Sequence, residues 1–188
     1  MPVGNFLPAG IGLFEYSFPS GERMMENNQA VIESIKSVIY ESCIALNDQK
    51  WMDWIALCDD SFEYAIKAFS PEIGSQMTYM AGNRDHMDNL LKMLPKHNSD
   101  NSPLKRHCVV YRVVLSDDGK TGSAISSVVV YQTQLDGINS HVDAGETNLF
   151  LAANYYDEFV VNGDDVKMTK RDVQLDTRRL DKGTHWPI

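Results

Sequence analysis

The sequence lacks the residue patterns that usually hold metal ions, phosphates or activated nucleophiles. Its three cysteines, Cys43, Cys58 and Cys108, are far apart, and none of its five histidines stands in a His-x-His pair or at the i, i+4 spacing of a helical zinc site. Only Cys108 has a neighbouring histidine, His107, and one such pair cannot bind a cluster. No Gly-x-Ser-x-Gly elbow, phosphate-binding loop or EF-hand loop occurs either. We therefore predict no metal or cofactor site in this chain.

Basic residues are also few. The 17 Lys and Arg residues are outnumbered by 26 Asp and Glu residues, which gives a net charge of -9, and the basic residues are scattered. Such a chain repels phosphate backbones, so we predict no nucleic-acid partner. No apolar run approaches the roughly 18 residues that a membrane helix needs. No basic residue precedes Arg23, so the secretory pattern is missing as well, and we expect a cytoplasmic protein without a membrane partner.

The chain does have the composition of a folded domain. Of its 188 residues, 43% are hydrophobic and 10% are aromatic, which suits one domain with its own core. We predict that this single domain covers residues 27–180. Residues 1–26 are rich in proline and bulky apolar side chains without a helical or strand period, so we predict an extended N-terminal arm that lies across another surface. Residues 181–188 are predicted as a C-terminal tail.

Three stretches have the spacing of helices. An apolar stripe predicts a long helix from Asn28, its expected N-cap, to about Asn47. The stretch 51–64 changes from helical spacing to the alternation of a strand. Asn83 is the expected N-cap of a third helix, which we expect Pro95 to end. The first half of the chain is therefore predicted to contain three helices, with one strand between the second and the third.

Strand patterns dominate the second half of the chain. Four long runs are rich in Val, Tyr and Thr, and they cover residues 105–115, 123–135, 146–161 and 165–177. Asp117–Gly119 and Asn162–Gly163 are typical hairpin turns. The apolar phase changes within the last run, which predicts a β-bulge near Lys170. Before these runs, Ser70–Pro71 is predicted only to break the chain. We predict an α+β fold, with helices on one face of a curved antiparallel sheet.

A curved sheet wrapped around helices leaves a cavity, which is the default place for a ligand. Asp60, Tyr64 and His107 could support acid–base chemistry there on a small carbonyl compound. A structural role is the stronger interpretation, because acidic residues at a turn usually bind backbone donors and sheet tyrosines usually pack. If large side chains such as Trp54 and Phe62 fill the cavity, no active site remains.

Several short motifs, taken in order, resemble the small (β) subunits of Rieske non-haem iron oxygenases of the ring-hydroxylating type. They are the acidic pair at residues 59–60 with Tyr64 in the following strand, residues 105–107 and residues 170–176, and the resemblance covers residues 28–180. Within that family, residues 70–73, 94–100 and 106–107 are most similar to the small hydroxylase subunits of methanesulfonate monooxygenases.

The resemblance implies the cone-shaped fold of nuclear transport factor 2, ketosteroid isomerase and scytalone dehydratase, in an assembly of three large and three small subunits (α3β3). It implies that the large (α) subunit holds a [2Fe-2S] Rieske cluster and a mononuclear iron, supplied with electrons by a ferredoxin and a reductase. The small subunit would be structural and non-catalytic. Phe14, Arg106 and Trp186 are our candidates for contacts with the partner subunit.

Two other functions remain open for the same fold. One is a stand-alone, cofactor-free isomerase, dehydratase or cyclase, which needs Asp60, Tyr64 or His107 to point into an open pocket. The other is a binding module of the transport-factor kind, whose convex sheet face docks a partner. Exposed aromatic side chains on that face would favour the module.

Overall fold

The computed structural model describes residues 20–97, 101–135, 142–178 and 186–188. Within these ranges it contains three helices and six strands. They are α1 (Ser20–Asn47), α2 (Trp51–Ala56), β1 (Cys58–Ser70), β2 (Ser75–Asn83), α3 (Arg84–His97), β3 (Leu104–Leu115), β4 (Thr121–Thr133), β5 (Thr147–Asn162) and β6 (Asp165–Leu175). No helix in the described ranges combines the length and the apolar character that crossing a membrane requires.

The six strands form one sheet in the order β2-β1-β6-β5-β4-β3. Neighbouring strands are antiparallel, except that β1 and β6 run parallel. The helices lie on one side of the sheet, where α1 packs on β3 and β6 while α3 packs on β1 and β2. The predicted α+β fold is therefore confirmed. We call the space enclosed by the three helices and the inner face of the sheet the cone.

Helix α1 is longer than its apolar pattern predicts. Its buried side chains follow the expected stripe, and they include Ile35, Ile39, Cys43 and Leu46. The helix ends at Asn47 as predicted, but it begins at Ser20, so Asn28 lies inside it and the predicted N-cap is wrong. Residues 20–27 carry no clear apolar stripe, yet Glu, Arg and Met favour the helix intrinsically. Helix propensity thus accounts for the part of α1 that precedes its apolar stripe.

Strand β2 is absent from the sequence prediction, which places only a chain break after Ser70. The strand pairs along the edge of β1, and a turn with Gly74 at φ 62° joins the two. Its side chains are exposed or half-buried on both faces, so its sequence shows no alternation of apolar and polar residues. Pairing with β1, rather than burial, makes this segment a strand.

Helix α3 begins as predicted and ends later. The side-chain oxygen Oδ1 of Asn83 accepts a hydrogen bond from the backbone N–H of His86 at 3.0 Å, which is the contact expected of an N-cap. Pro95 does not end the helix but lies inside its last turn, and α3 continues to His97. Only two residues follow the proline, so its missing N–H affects little of the helix.

Strands β3 to β6 lie where the sequence predicts them, with ends that differ by a residue or two. Gly119 and Gly163 have φ values of 68° and 64°, the left-handed conformation that tight hairpin turns favour. Lys170 pairs with Glu158 on β5, whereas Met168 pairs with the next residue of β5, which leaves Thr169 as an extra residue. The predicted β-bulge near Lys170 is thus confirmed.

Candidate functional site

Large aromatic side chains fill the wide part of the cone. Trp54 from α2 is fully buried, and its ring meets the rings of Phe62 and Tyr64 from β1 edge to face at centroid distances of 5.8 and 5.9 Å. Burial raises the pKa of the Tyr64 hydroxyl to about 12. This region is a packed core rather than an open chamber.

Residues 186–188 lie inside the cone beside these aromatic side chains. The Tyr64 hydroxyl accepts a hydrogen bond from the N–H of Ile188 at 2.8 Å and lies 3.3 Å from the Ile188 carbonyl oxygen. Arg106 donates from Nη2 to the Pro187 carbonyl oxygen at 2.8 Å. Trp186 packs edge to face on Trp51 with centroids 5.5 Å apart. All three residues of the segment are buried, so the chain fills its own cavity.

A second buried guanidinium lies deeper in the cone. Arg171 on β6 donates two hydrogen bonds of 2.8 Å to the carboxylate of Asp157 on β5 and a third of 3.0 Å to the Ser42 hydroxyl of α1. Its guanidinium carbon also lies 4.1 Å from the centre of the Tyr155 ring. Burial opposes the charge, but the Asp157 carboxylate prevails and holds the pKa of Arg171 above its ordinary value. This cluster joins α1 to the sheet.

The three cysteines are free thiols inside the fold. Cys43 and Cys58 are buried and Cys108 is half-buried. A hydrogen bond with the Cys108 thiol lowers the pKa of Cys43 to about 7, against the effect of burial. Burial raises the pKa of Cys58 to about 12. The low exposure of these thiols agrees with the structural role predicted from the sequence and leaves none of them as an accessible nucleophile.

The three residues of the alternative catalytic site are not brought together. The Asp60 carboxylate is fully exposed and lies 3.7 Å from Arg84. His107 is exposed on the outer face of β3, where its ring packs against Tyr131 with centroids 5.6 Å apart. Of the three residues, only Tyr64 points into the cone, and its hydroxyl already accepts a hydrogen bond from the N–H of Ile188. The geometry therefore provides no acid–base site built from these side chains.

The candidate contact residues have different positions. Arg106 and Trp186 are buried, at 6% and 5% exposure, and both contact other residues of this chain. Phe14 lies outside the described residues. A role of these three residues in contacts with another subunit stays a prediction.

Metal-binding donors are dispersed as well. Within the described ranges, no three side chains among His, Cys, Asp and Glu converge on a point where a metal ion could bind. The donor set of this part of the chain thus does not fit an iron site or an iron–sulfur cluster, both of which need several such ligands together.

The outer face of the sheet carries an apolar surface that the sequence analysis missed. We call it the outer patch, and it consists of Val109, Tyr111, Ile125, Val129, Tyr131, Leu149 and Tyr156. Strand pairing places Tyr131 opposite Leu149, and Ile125 opposite Tyr156. Tyr111 is 67% exposed and Val109 is 57% exposed. A signal was present in the sequence, because the run 108–115 is apolar in both phases except at Arg112, whereas a strand with one solvated face should alternate.

Beside the outer patch the same face becomes charged. Lys67 on β1 and Asp172 on β6 form an ion pair of 3.0 Å, and Lys170 lies 3.2 Å from Glu158. Asp172 pairs directly with Tyr156 of the outer patch, so the change from charged to apolar occurs between two neighbouring strands. Apolar area bounded by charges is typical of a surface that another protein covers.

Comparison with known proteins decides the family. No protein-family profile matches the chain. The chain is 49% identical over 156 residues to the methanesulfonate monooxygenase hydroxylase subunit beta of Methylosulfonomonas methylovora, which covers 83% of this chain and 86% of the relative. It belongs to the β subunits of oxygenase hydroxylases. The resemblance predicted from the sequence is thus confirmed.

Further relatives agree with this β-subunit assignment. The 2-aminobenzenesulfonate 2,3-dioxygenase subunit beta of an Alcaligenes species is 29% identical over 155 residues, which cover 82% of this chain and 97% of that protein. The β subunit of a candidate aromatic-ring-hydroxylating dioxygenase from Novosphingobium aromaticivorans superposes with a TM-score of 0.63 at 23% identity, over 84% of this chain and 94% of the other. An NTF2-like protein from the same species superposes with a TM-score of 0.53 at 13% identity, over 85% and 88%. These structures confirm the cone-shaped fold.

Proposed function

We propose that this β subunit is a structural, non-catalytic part of a hydroxylase, and that its outer patch docks on the iron-bearing large (α) subunit. The filled cone is the observation that carries the first half of this proposal. Trp54, Phe62 and residues 186–188 occupy the space that a substrate would need. The location that we propose is the cytoplasm, as expected from the sequence.

The large subunit is the proposed home of the redox groups. We place the [2Fe-2S] Rieske cluster and the mononuclear iron there, because the described part of the β subunit has no converging set of metal donors. Electrons from a reductase and a ferredoxin would then reach the large subunit without passing through this chain. For the assembly as a whole we propose α3β3.

Two features of the outer patch fit a protein partner of this kind. Its exposed tyrosines Tyr111, Tyr131 and Tyr156 are of the type enriched in interface cores. The acidic residues beside the patch, Glu158 and Asp172, are paired with Lys170 and Lys67, so a partner that covers the patch meets ion pairs rather than unpaired carboxylates at this edge. A transport-factor-like module would share such a face. The two β-subunit relatives favour the oxygenase partner.

The docking surface is tested by placing one charge inside the outer patch. We expect Val109→Glu to weaken binding of the large subunit at least about tenfold, because a buried carboxylate without a partner is costly at an interface. Thr78→Glu is the matched control, since Thr78 is also β-branched, exposed and on a strand, but lies on β2 away from the patch. The measurement is the mass and the visible iron–sulfur absorbance of the complex after co-expression with the large subunit.

If the large subunit binds the Val109→Glu and Thr78→Glu variants equally well, the outer patch is not part of the interface. Recovery of the unaltered chain as a free monomer, indifferent to a co-expressed large subunit, would contradict the structural role itself. Circular dichroism of the isolated chains checks that neither substitution disturbs the fold.

The names of the two relatives also suggest a substrate class. One is a subunit of a methanesulfonate monooxygenase and the other of a 2-aminobenzenesulfonate dioxygenase. We propose that the complete hydroxylase acts on a sulfonate bound by the large subunit. Substrate-dependent oxygen uptake by the reconstituted system with methanesulfonate, but not with benzene, is the expected result. The reverse preference would overturn this assignment.

A further inference from the structure

Residues 186–188 enter the cone in a way that resembles a bound peptide. The preceding described residues, 176–178 after β6, are exposed, whereas 186–188 are all buried. The segment forms no strand with the sheet and no helix. Its position is therefore set by contacts inside the cone rather than by secondary structure.

Pro187 and Ile188 make polar contacts through their main-chain atoms. Arg106 binds the carbonyl oxygen of Pro187, and the Tyr64 hydroxyl lies within hydrogen-bond distance of both the N–H and the carbonyl oxygen of Ile188. The side chain of Trp186 adds an aromatic contact with Trp51. Main-chain hydrogen bonds combined with one large anchored side chain are how proteins commonly bind extended peptides.

Arg106 shows that the cone is built for such an occupant. The residue is 6% exposed, and no carboxylate within the described residues pairs with it. Its guanidinium has two acceptors, the side-chain oxygen of Asn47 at 3.2 Å and the Pro187 carbonyl oxygen at 2.8 Å, while its Nε is buried without a hydrogen-bond partner among the described residues. A buried cation needs acceptors, and the segment supplies one of the two.

The anchor also has space beside it. A cavity of about 160 Å³, open to the outside, lies at the mouth of the cone between α2 and α3. Trp51 and Trp186 line it together with Leu94 and Pro95 of α3. The Trp186 side chain thus borders an opening to solvent at the edge of the segment.

From these contacts we infer that the cone is a peptide-binding pocket and that its ligand is the chain's own Trp-Pro-Ile segment, residues 186–188. Noncovalent contacts are sufficient to hold the segment, even when its covalent link to the rest of the chain is cut. A separate peptide of the same sequence can therefore take its place. This inference concerns the interior of the β subunit and does not rest on the proposed docking of the outer patch.

Cleavage of the folded chain provides the test. A protease recognition sequence inserted between Lys182 and Gly183 allows the full-length protein to fold first and to be cut afterwards. We expect the released fragment to stay bound through gel filtration at micromolar protein, as seen by native mass spectrometry. A fluorescent synthetic peptide with the sequence of residues 183–188 should then exchange with the fragment, whereas the same peptide with Trp186→Ala should not.

Two buried tyrosines provide a matched pair of variants. Tyr64→Phe removes the hydroxyl that binds residue 188, and we expect it to weaken peptide binding by about tenfold or more. Tyr155→Phe removes a hydroxyl that is equally buried but has no hydrogen-bond partner among the described residues, so we expect peptide binding to stay within about twofold.

Three results would overturn the inference. The first is loss of the fragment with no rebinding at millimolar peptide while the circular dichroism spectrum is unchanged. The second is unfolding of the cut chain that added peptide does not reverse, which would make residues 186–188 an inseparable part of the core. The third is equal weakening of binding by Tyr64→Phe and Tyr155→Phe.

Discussion

Two ion pairs join β5 to β6 at consecutive positions, and they lie on opposite faces of the sheet. Asp157 pairs with Arg171 on the inner face, where both side chains are 0% exposed, and Glu158 pairs with Lys170 on the outer face, where they are 58% and 36% exposed. The inner guanidinium also binds Ser42. The two pairs share the same strands and adjacent register positions. They differ in burial and in side-chain type, because Arg171 makes two hydrogen bonds to its carboxylate and Lys170 makes one.

The inner and outer faces of the sheet have different roles. On the inner face, Asp157 and Arg171 are removed from water, so each charge depends on its partner and on the packing of the cone around the pair. On the outer face water solvates the charges, and the same kind of pair leaves the surface free for another use. The inner face therefore determines stability, whereas the outer face, with its apolar patch, is available for association.

The largest expected effect is the loss of the inner pair. Asp157→Ala leaves the Arg171 guanidinium buried without its carboxylate, and we expect the free energy of unfolding to fall by about 3–5 kcal/mol. Equilibrium urea unfolding of the isolated subunit, followed by circular dichroism, measures it. A loss below about 1 kcal/mol would mean that water reaches Arg171, and the contrast between the two faces would fail.

Much of this division of the sheet could be predicted from the sequence. Strands β3 to β6 have long runs of β-branched and aromatic residues with clear turns, and the change of apolar phase near Lys170 indicated the bulge. Strand β2 could not be predicted, because residues 75–83 are exposed or half-buried on both faces and have no apolar periodicity. The start of α1 at Ser20 depends on helix propensity without an apolar stripe.

The side-chain contacts inside the cone were harder to predict than the helices and strands that enclose it. Trp54 and Phe62 were named as side chains that could fill the cavity, but the sequence left open whether the cavity is filled. The pairing of Arg171 with Asp157 depends on the register of two strands, and the contact of Arg106 with Pro187 joins positions that are 81 residues apart. A single sequence carries no local signal for such long-range contacts.

A second test measures how completely the inner face of the sheet is shielded from water, through the ionisation of the Cys58 thiol. Burial raises the pKa of the Cys58 thiol from 9.0 in an unfolded chain to about 12 in the fold. Below pH 9 the thiol is protonated in both states and favours neither. Above pH 9 only the unfolded chain loses the proton, so stability is lost as pH rises toward 12. We expect a loss of about 2 kcal/mol from this thiol between about pH 8 and about pH 10.5.

Cys58→Ala isolates that contribution. The variant loses some packing at every pH, but its unfolding free energy should fall less steeply between the same two pH values. Tyr64, whose pKa burial raises from 10.0 to about 12, contributes to both proteins and cancels in the comparison. Parallel pH profiles for the two proteins would show that Cys58 ionises in the fold as it does in water.

The smallest expected effect is the loss of the outer pair. Glu158→Gln removes the carboxylate that lies 3.2 Å from Lys170 and that raises the pKa of this lysine, but both side chains remain in contact with water. Asp172, 3.8 Å from the same lysine, keeps part of the attraction. We therefore expect the free energy of unfolding to change by less than about 1 kcal/mol, and by still less in high salt. Urea unfolding at low and at high ionic strength measures the change in unfolding free energy under each condition. A salt-independent loss as large as that of Asp157→Ala would mean that the outer face is as dry as the cone, and location would then no longer explain the difference between the two pairs.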